Sequence, residues 1–117
     1  MRYLDILLER KKRRDYYLSN LSQFFKKISL FFKKKLGKKT KILVFGSFIK
    51  KKFGPNSDID ILVISQKEIS DREKRKLIFQ IRKKIGFLSP FEFHLTDKKE
   101  FQNWWQRFIK KDFVEIK

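Results

Sequence analysis

Two short apolar runs, residues 41–45 (KILVF) and 59–64 (IDILVI), constrain this chain more than any other feature, because a lysine-rich segment bounded by the turn residues Gly46 and Gly54 to Ser57 separates them. Runs of five or six residues rich in Ile, Val, Leu and Phe read as buried β-strands. Gly46 and Ser47 close the first strand, ten residues follow, and Asp58 and Asp60 open the second. The spacing predicts strand, tight turn with a short helix, loop, strand. Gly54, Pro55, Asn56 and Ser57 supply the turn chemistry that ends the loop.

The polar residues at the strand ends have a geometric consequence. Residues two apart in a strand share a face, so Asp58 and Asp60 project together while Ile59 and Ile61 turn the other way. Adjacent carboxylates repel unless cations lie between them, and oxygen-only ligation alongside substrate phosphates suits Mg²⁺. At the other end, Gly46 lets an anion approach the backbone. A helix starting there would offer N–H groups, and Ser47 adds a hydroxyl. For one Mg-nucleotide to touch both halves, the end of the first strand must lie beside the start of the second. The two strands are therefore expected to be antiparallel neighbours.

The flanking chain builds around this pair. Residues 2–36 contain no Gly or Pro, and Gly37 stands where a helix C-cap belongs. Tyr17, Leu21, Phe24, Phe25, Ile28, Phe32 and Leu36 form one apolar stripe, with most lysines off it. Asn20 and Gln23 suggest a capping box and a restart of the helix near Ser19. Arg10 to Arg14 form a basic run, read first as a solvated helix face and second as an RNA or partner contact. After the second strand, Ser70 and Glu73 cap a helix whose buried face is Leu77, Ile78, Ile81 and Ile85, ending at Gly86. Such a crossover implies a third strand, 91–95, parallel to the second. On it Phe91, Phe93 and Leu95 point one way, and Glu92 and His94 the other. Asp97 and Glu100 cap a last long helix whose stripe of Phe101, Trp104, Trp105, Phe108 and Ile109 reads first as core. If part of it is exposed, the tryptophans suit a dimer or partner surface. Phe113, Val114 and Ile116 suggest a short final strand.

Gly46-Ser47, a ten-residue gap and Asp58-Ile59-Asp60 leading an apolar strand resemble the signature of the DNA polymerase β-like nucleotidyltransferases. The spacing is closest to the minimal nucleotidyltransferase (MNT) group and its archaeal members, and the likeness covers roughly residues 37 to 117. The resemblance implies an α/β (α+β) fold with a small mixed sheet flanked by helices. Residues 1–36 would form a basic amphipathic segment and 37–117 the MNT domain. It also implies two Mg²⁺ ions, about 4 Å apart, on Asp58, Asp60 and a third acidic residue of the next strand, which maps onto Glu92. Gly46, Ser47 and Lys50 would hold the ATP phosphates, with Lys51 and Lys52 one turn away. His94 shares the face of Glu92, placed either to assist a proton transfer or to hydrogen-bond a carboxylate, and the supporting role is the first expectation. Some MNT proteins are antitoxins that transfer AMP from ATP to a tyrosine of a HEPN-type ribonuclease toxin, and that activity is the leading expectation.

Composition bears on the alternatives. A chain of 117 residues supports one domain with a modest core, and it lacks cysteine, so no disulfide or thiolate-metal site arises. No apolar run reaches a membrane span, and the N-terminal apolar residues precede the basic ones, the reverse of a secretory signal. A cytoplasmic protein is expected, with no membrane partner and with homo-oligomerisation left open. The net charge of +18 implies attraction to polyanions. Transfer to an RNA acceptor, docked on the basic N-terminal helix, is thus the second expectation. A third is a binding module that neutralises a partner by contact without catalysis. The resemblance implies that larger relatives bind primer or tRNA with added domains; none is expected in these 117 residues, so the acceptor is expected to bring its own docking surface.

Overall fold

A computed structural model describes residues 2–51 and 57–117. Lys52, Gly54, Pro55 and Asn56, expected to add charge or form the loop's turn, lie outside the described residues. In chain order the elements are helices α1 (Tyr3–Ser19) and α2 (Leu21–Leu36), strand β1 (Lys41–Phe45), a 3₁₀ turn (Gly46–Phe48), β2 (Ile59–Ser65), α3 (Asp71–Ile85) and β3 (Phe91–Asp97). A continuous helical run follows: α4 (Lys98–Glu100), a π-helical turn (Phe101–Trp105) and α5 (Gln106–Ile109), with β4 (Phe113–Ile116) last.

The sheet order is β3-β2-β1-β4. β1 pairs antiparallel with β2 and with β4, and β2 pairs parallel with β3. This is the mixed sheet expected from the sequence, with α3 as the crossover that a parallel pair requires. Strand alternation divides the apolar residues between two faces. Ile42, Val44, Ile59, Ile61, Val63, Phe91, Phe93 and Leu95 pack with Tyr17 of α1, with Phe24, Ile28 and Phe32 of α2, and with Leu77, Ile81 and Ile85 of α3. Leu43, Phe45, Leu62 and Ile64 face the other way, where Ile109, Phe101 and Trp105 cover them. Asp60 alternates with Leu62 and Ile64, so its carboxylate emerges on this second face.

The caps explain where several helices begin. Ser70 Oγ accepts from the Glu73 N–H at 3.1 Å, and Asp97 Oδ1 accepts from the Glu100 N–H at 2.9 Å. The chain does break at Asn20, but not through the expected capping box. The Asn20 side chain instead donates to the Tyr16 carbonyl at 2.8 Å, closing the end of α1 rather than opening α2. Tyr17 ties this corner to the domain, since its buried hydroxyl donates to the Ile85 carbonyl at 2.7 Å.

The aromatic stripe of the last helix is only partly core. Ile109 is buried and Phe101 and Trp105 are half-buried, whereas Trp104 and Phe108 are exposed. The π turn accounts for the difference. It places an extra residue in one turn, so α-helical spacing no longer predicts a single face across it. The Trp105 indole N–H donates to Glu100 Oε1, five residues back, at 3.3 Å. Among the described residues no helix is long and apolar enough to cross a membrane.

Candidate active site

The strand register brings three polar side chains together at the end of the sheet where β2 and β3 begin and β1 finishes. Asp60 pairs with Phe45 across one ladder and with Glu92 across the other. His94 follows Glu92 on the same face of β3. Its Nε2 lies 3.4 Å from Asp60 Oδ1 and 3.9 Å from Glu92 Oε1. A carboxylate only accepts, so a protonated Nε2 donates a long hydrogen bond to Asp60. Ligand atoms of Asp60, Glu92 and His94 all lie within 4.8 Å of one another. Asp60 and His94 are half-buried and Glu92 is exposed. The rings of Phe45 and Trp105 flank the imidazole at 5.6 and 5.5 Å.

Gly46 delivers the turn to this cluster. Its φ of +82° is a conformation that side-chain-bearing residues rarely adopt, and an added Cβ would fall on the Asp60 carboxylate. The N–H groups of Ile49 and Lys50 close the turn onto the Gly46 carbonyl, each at 3.1 Å. Ser47 is half-buried, and Lys50 and Lys51 are exposed to solvent. The backbone that reverses direction after β1 is thus in contact with the first carboxylate of β2.

Asp58 has a different setting. The Ile59 N–H donates to the Pro90 carbonyl at 2.7 Å, so the ladder starts at Ile59 and Asp58 stands just before it, exposed. It is not one of the three converging side chains. It lines a groove of about 550 Å³ with Arg10, Lys11, Arg13 and Arg14 of α1 and with residues 88–90. The Arg14 guanidinium donates to the Ser57 carbonyl next to Asp58. The basic run, read from sequence first as a solvated face, therefore fronts one of the two aspartates. Helical spacing puts Leu7, Arg10 and Arg14 on a common face, but periodicity does not say what a face meets.

The donor chemistry fits a hard divalent cation. Two carboxylates meeting at one sheet end suit Mg²⁺, which takes one or two carboxylates along with substrate phosphates. Imidazole is the preferred partner of softer metals, so His94 serves best as the group that orients Asp60.

Residues 25–117 match the family described as the nucleotidyltransferase domain. The chain belongs to that family. Among solved structures it is similar to a protein provisionally assigned as a nucleotidyltransferase, with 32% identity, 79% of this chain and 96% of that chain covered, and a TM-score of 0.63. It is also similar to a toxin–antitoxin structure containing AMP-PNP, at 18% identity with 80% of this chain and 72% of that chain covered and a TM-score of 0.61. A third neighbour, from Sulfolobus solfataricus and provisionally assigned as a nucleotidyltransferase, shares 20% identity over 93% of this chain and 84% of that chain, with a TM-score of 0.55. No curated protein matches the sequence. At these identities the second and third neighbours show the nucleotidyltransferase fold alone.

Proposed function

We propose that this nucleotidyltransferase domain transfers AMP from ATP to a tyrosine hydroxyl of a partner HEPN-type toxin and thereby acts as an antitoxin. The observation that carries the proposal is the meeting of the Gly46 turn with Asp60, Glu92 and His94 at one sheet end. Family membership supports nucleotidyl transfer. The sequence resemblance and the toxin–antitoxin neighbour with AMP-PNP support the partner and the nucleotide.

In this reading the Gly46 backbone, the Ser47 hydroxyl and the Lys50 ammonium hold the β- and γ-phosphates of ATP. Asp60 and Glu92, together with Asp58, would hold two Mg²⁺ ions. When bound, Mg²⁺ lowers the pKa of the acceptor hydroxyl and neutralises charge on the triphosphate. Glu92, the most exposed of the three converging groups, takes the acceptor's proton. The acceptor oxygen bonds to the α-phosphorus, the α–β phosphoanhydride bond breaks, and pyrophosphate leaves. His94 keeps the Asp60 carboxylate oriented throughout. Such a reaction depends mainly on positioning and electrostatics, so removing Asp58 or Asp60 should abolish it.

The test is incubation with Mg²⁺ and each α-labelled nucleoside triphosphate, with and without the protein encoded next to it, beside Asp58→Ala and Asp60→Ala variants. Label on the neighbour from ATP alone, lost in both variants, is the expected result. Neutralisation that survives in both variants without any label would make the protein a contact inhibitor.

The groove favours a second reading, transfer to RNA. Four cations of α1 line a path that reaches Asp58, a suitable approach for a polyanionic strand. Label appearing on added RNA, with binding that weakens steeply as salt rises, would place this reading first.

A further inference from the structure

The helical run 98–109 leaves two large rings in solvent. Trp104 is 55% exposed and Phe108 is 61% exposed. They are not splayed apart: their planes lie 9° from parallel with centroids 5.4 Å apart, a stacked pair on one side of the run. Trp105 meets both edge-on, at 4.8 Å from Trp104 and 6.1 Å from Phe108.

The stack is continuous with the active site. Trp105 is 5.5 Å from the His94 ring, and His94 reaches Asp60 and Glu92. Phe108 lies 6.5 Å from Phe45, the residue before Gly46. The exposed pair is thus one ring removed from the carboxylates on one side and from the phosphate turn on the other. The Trp105 hydrogen bond to Glu100 fixes the ring that links the two.

We infer that the Trp104–Phe108 stack seats the nucleobase of the bound nucleoside triphosphate. The inference rests on the nucleotide reading above and deepens it. With phosphates at Gly46, ribose and base must extend away from the turn, and this flank offers planar apolar surface. Size argues for a base over a protein. Two whole aromatic side chains bury roughly 300–500 Å², and these are only 55% and 61% exposed, so the pair offers well below the ~800 Å² that each partner of a stable complex contributes. Stacking is also tolerant of base identity, since every base has a π face. The platform therefore strengthens binding of all four triphosphates and leaves base choice to other contacts.

Calorimetric titration of the full chain with Mg²⁺-ATP and with Mg²⁺-ribose 5′-triphosphate, which lacks only the base, tests this. ATP is expected to bind about tenfold or more tightly than the abasic compound, within the roughly 5- to 150-fold that one stacked base supplies. In the Trp104→Ala/Phe108→Ala double variant the advantage should vanish, with affinity for ribose triphosphate unchanged. Trp104→Phe should retain most of it. Equal binding of the two ligands by the unaltered protein overturns the proposal, as does an ATP advantage that survives in the double variant. A double variant that changes only its sedimentation, from dimer to monomer, would assign the rings to self-association and also overturn it. If neither ligand binds, the nucleotide reading itself falls and this inference with it.

Discussion

Gly46→Ala isolates the contact on which the site depends. Two costs can be separated from the structure. The backbone at φ +82° disfavours any residue with a Cβ, a strain of about 1–3 kcal/mol. The new methyl would also occupy the space of the Asp60 carboxylate, which must shift and so change its geometry relative to His94 and Glu92. Displacements near 1 Å at a reacting centre cost on the order of 100-fold in rate. Gly37→Ala provides the control, since its φ is +111° but nothing lies within 4 Å of an added Cβ. Both variants should melt several degrees lower, by roughly 4–8 °C per kcal/mol for a domain near this size. Only Gly46→Ala should lose label transfer from α-labelled ATP, by about 100-fold. Equal activity in the two variants, whether both retain it or both lose it, would refute the argument that Gly46 is required for its proximity to Asp60.

His94→Ala should lower transfer by roughly 10- to 100-fold, the range typical of groups that orient a metal ligand. A loss as complete as that of Asp60→Ala, measured in the same labelling assay, would mean that His94 does more than hold the carboxylate. Tyr17→Phe removes the donor to the buried Ile85 carbonyl and should cost about 1–2 kcal/mol in denaturant unfolding. Burial raises the pKa of the Tyr17 hydroxyl above its usual value near 10. The raised group stabilises the fold fully below pH 10, and that contribution is lost as pH climbs through the folded-state value. The stability gap between the unaltered protein and Tyr17→Phe should therefore narrow above pH 10; a constant gap in alkaline unfolding curves would contradict this.

Much of the architecture follows from local patterns that need no partner to be recognised. The apolar runs of β1 and β2, the Ser70 and Asp97 caps, and the crossover helix between β2 and β3 are each written in consecutive residues. Strand alternation also placed Glu92 and His94 on one face before any register was known. Asn20 is the counterexample. Its side chain can cap in either direction, and the local sequence favours the helix ahead, yet it closes the helix behind.

By itself, the sequence determined the order and type of the strands, the Gly46-Ser47 turn and the set of acidic residues from which a site can be built. These depend on backbone preference and on period, which act over a few neighbours. Only the tertiary structure decided which members of the set meet. Register between β2 and β3 put Asp60 opposite Glu92 and brought His94 within reach, while the start of the ladder at Ile59 left Asp58 on the groove beneath α1. It also decided that the basic run fronts Asp58 and that a π turn leaves Trp104 and Phe108 in solvent. The physical reason is the same throughout: periodicity fixes which face a side chain occupies, and only packing between distant segments fixes what that face touches.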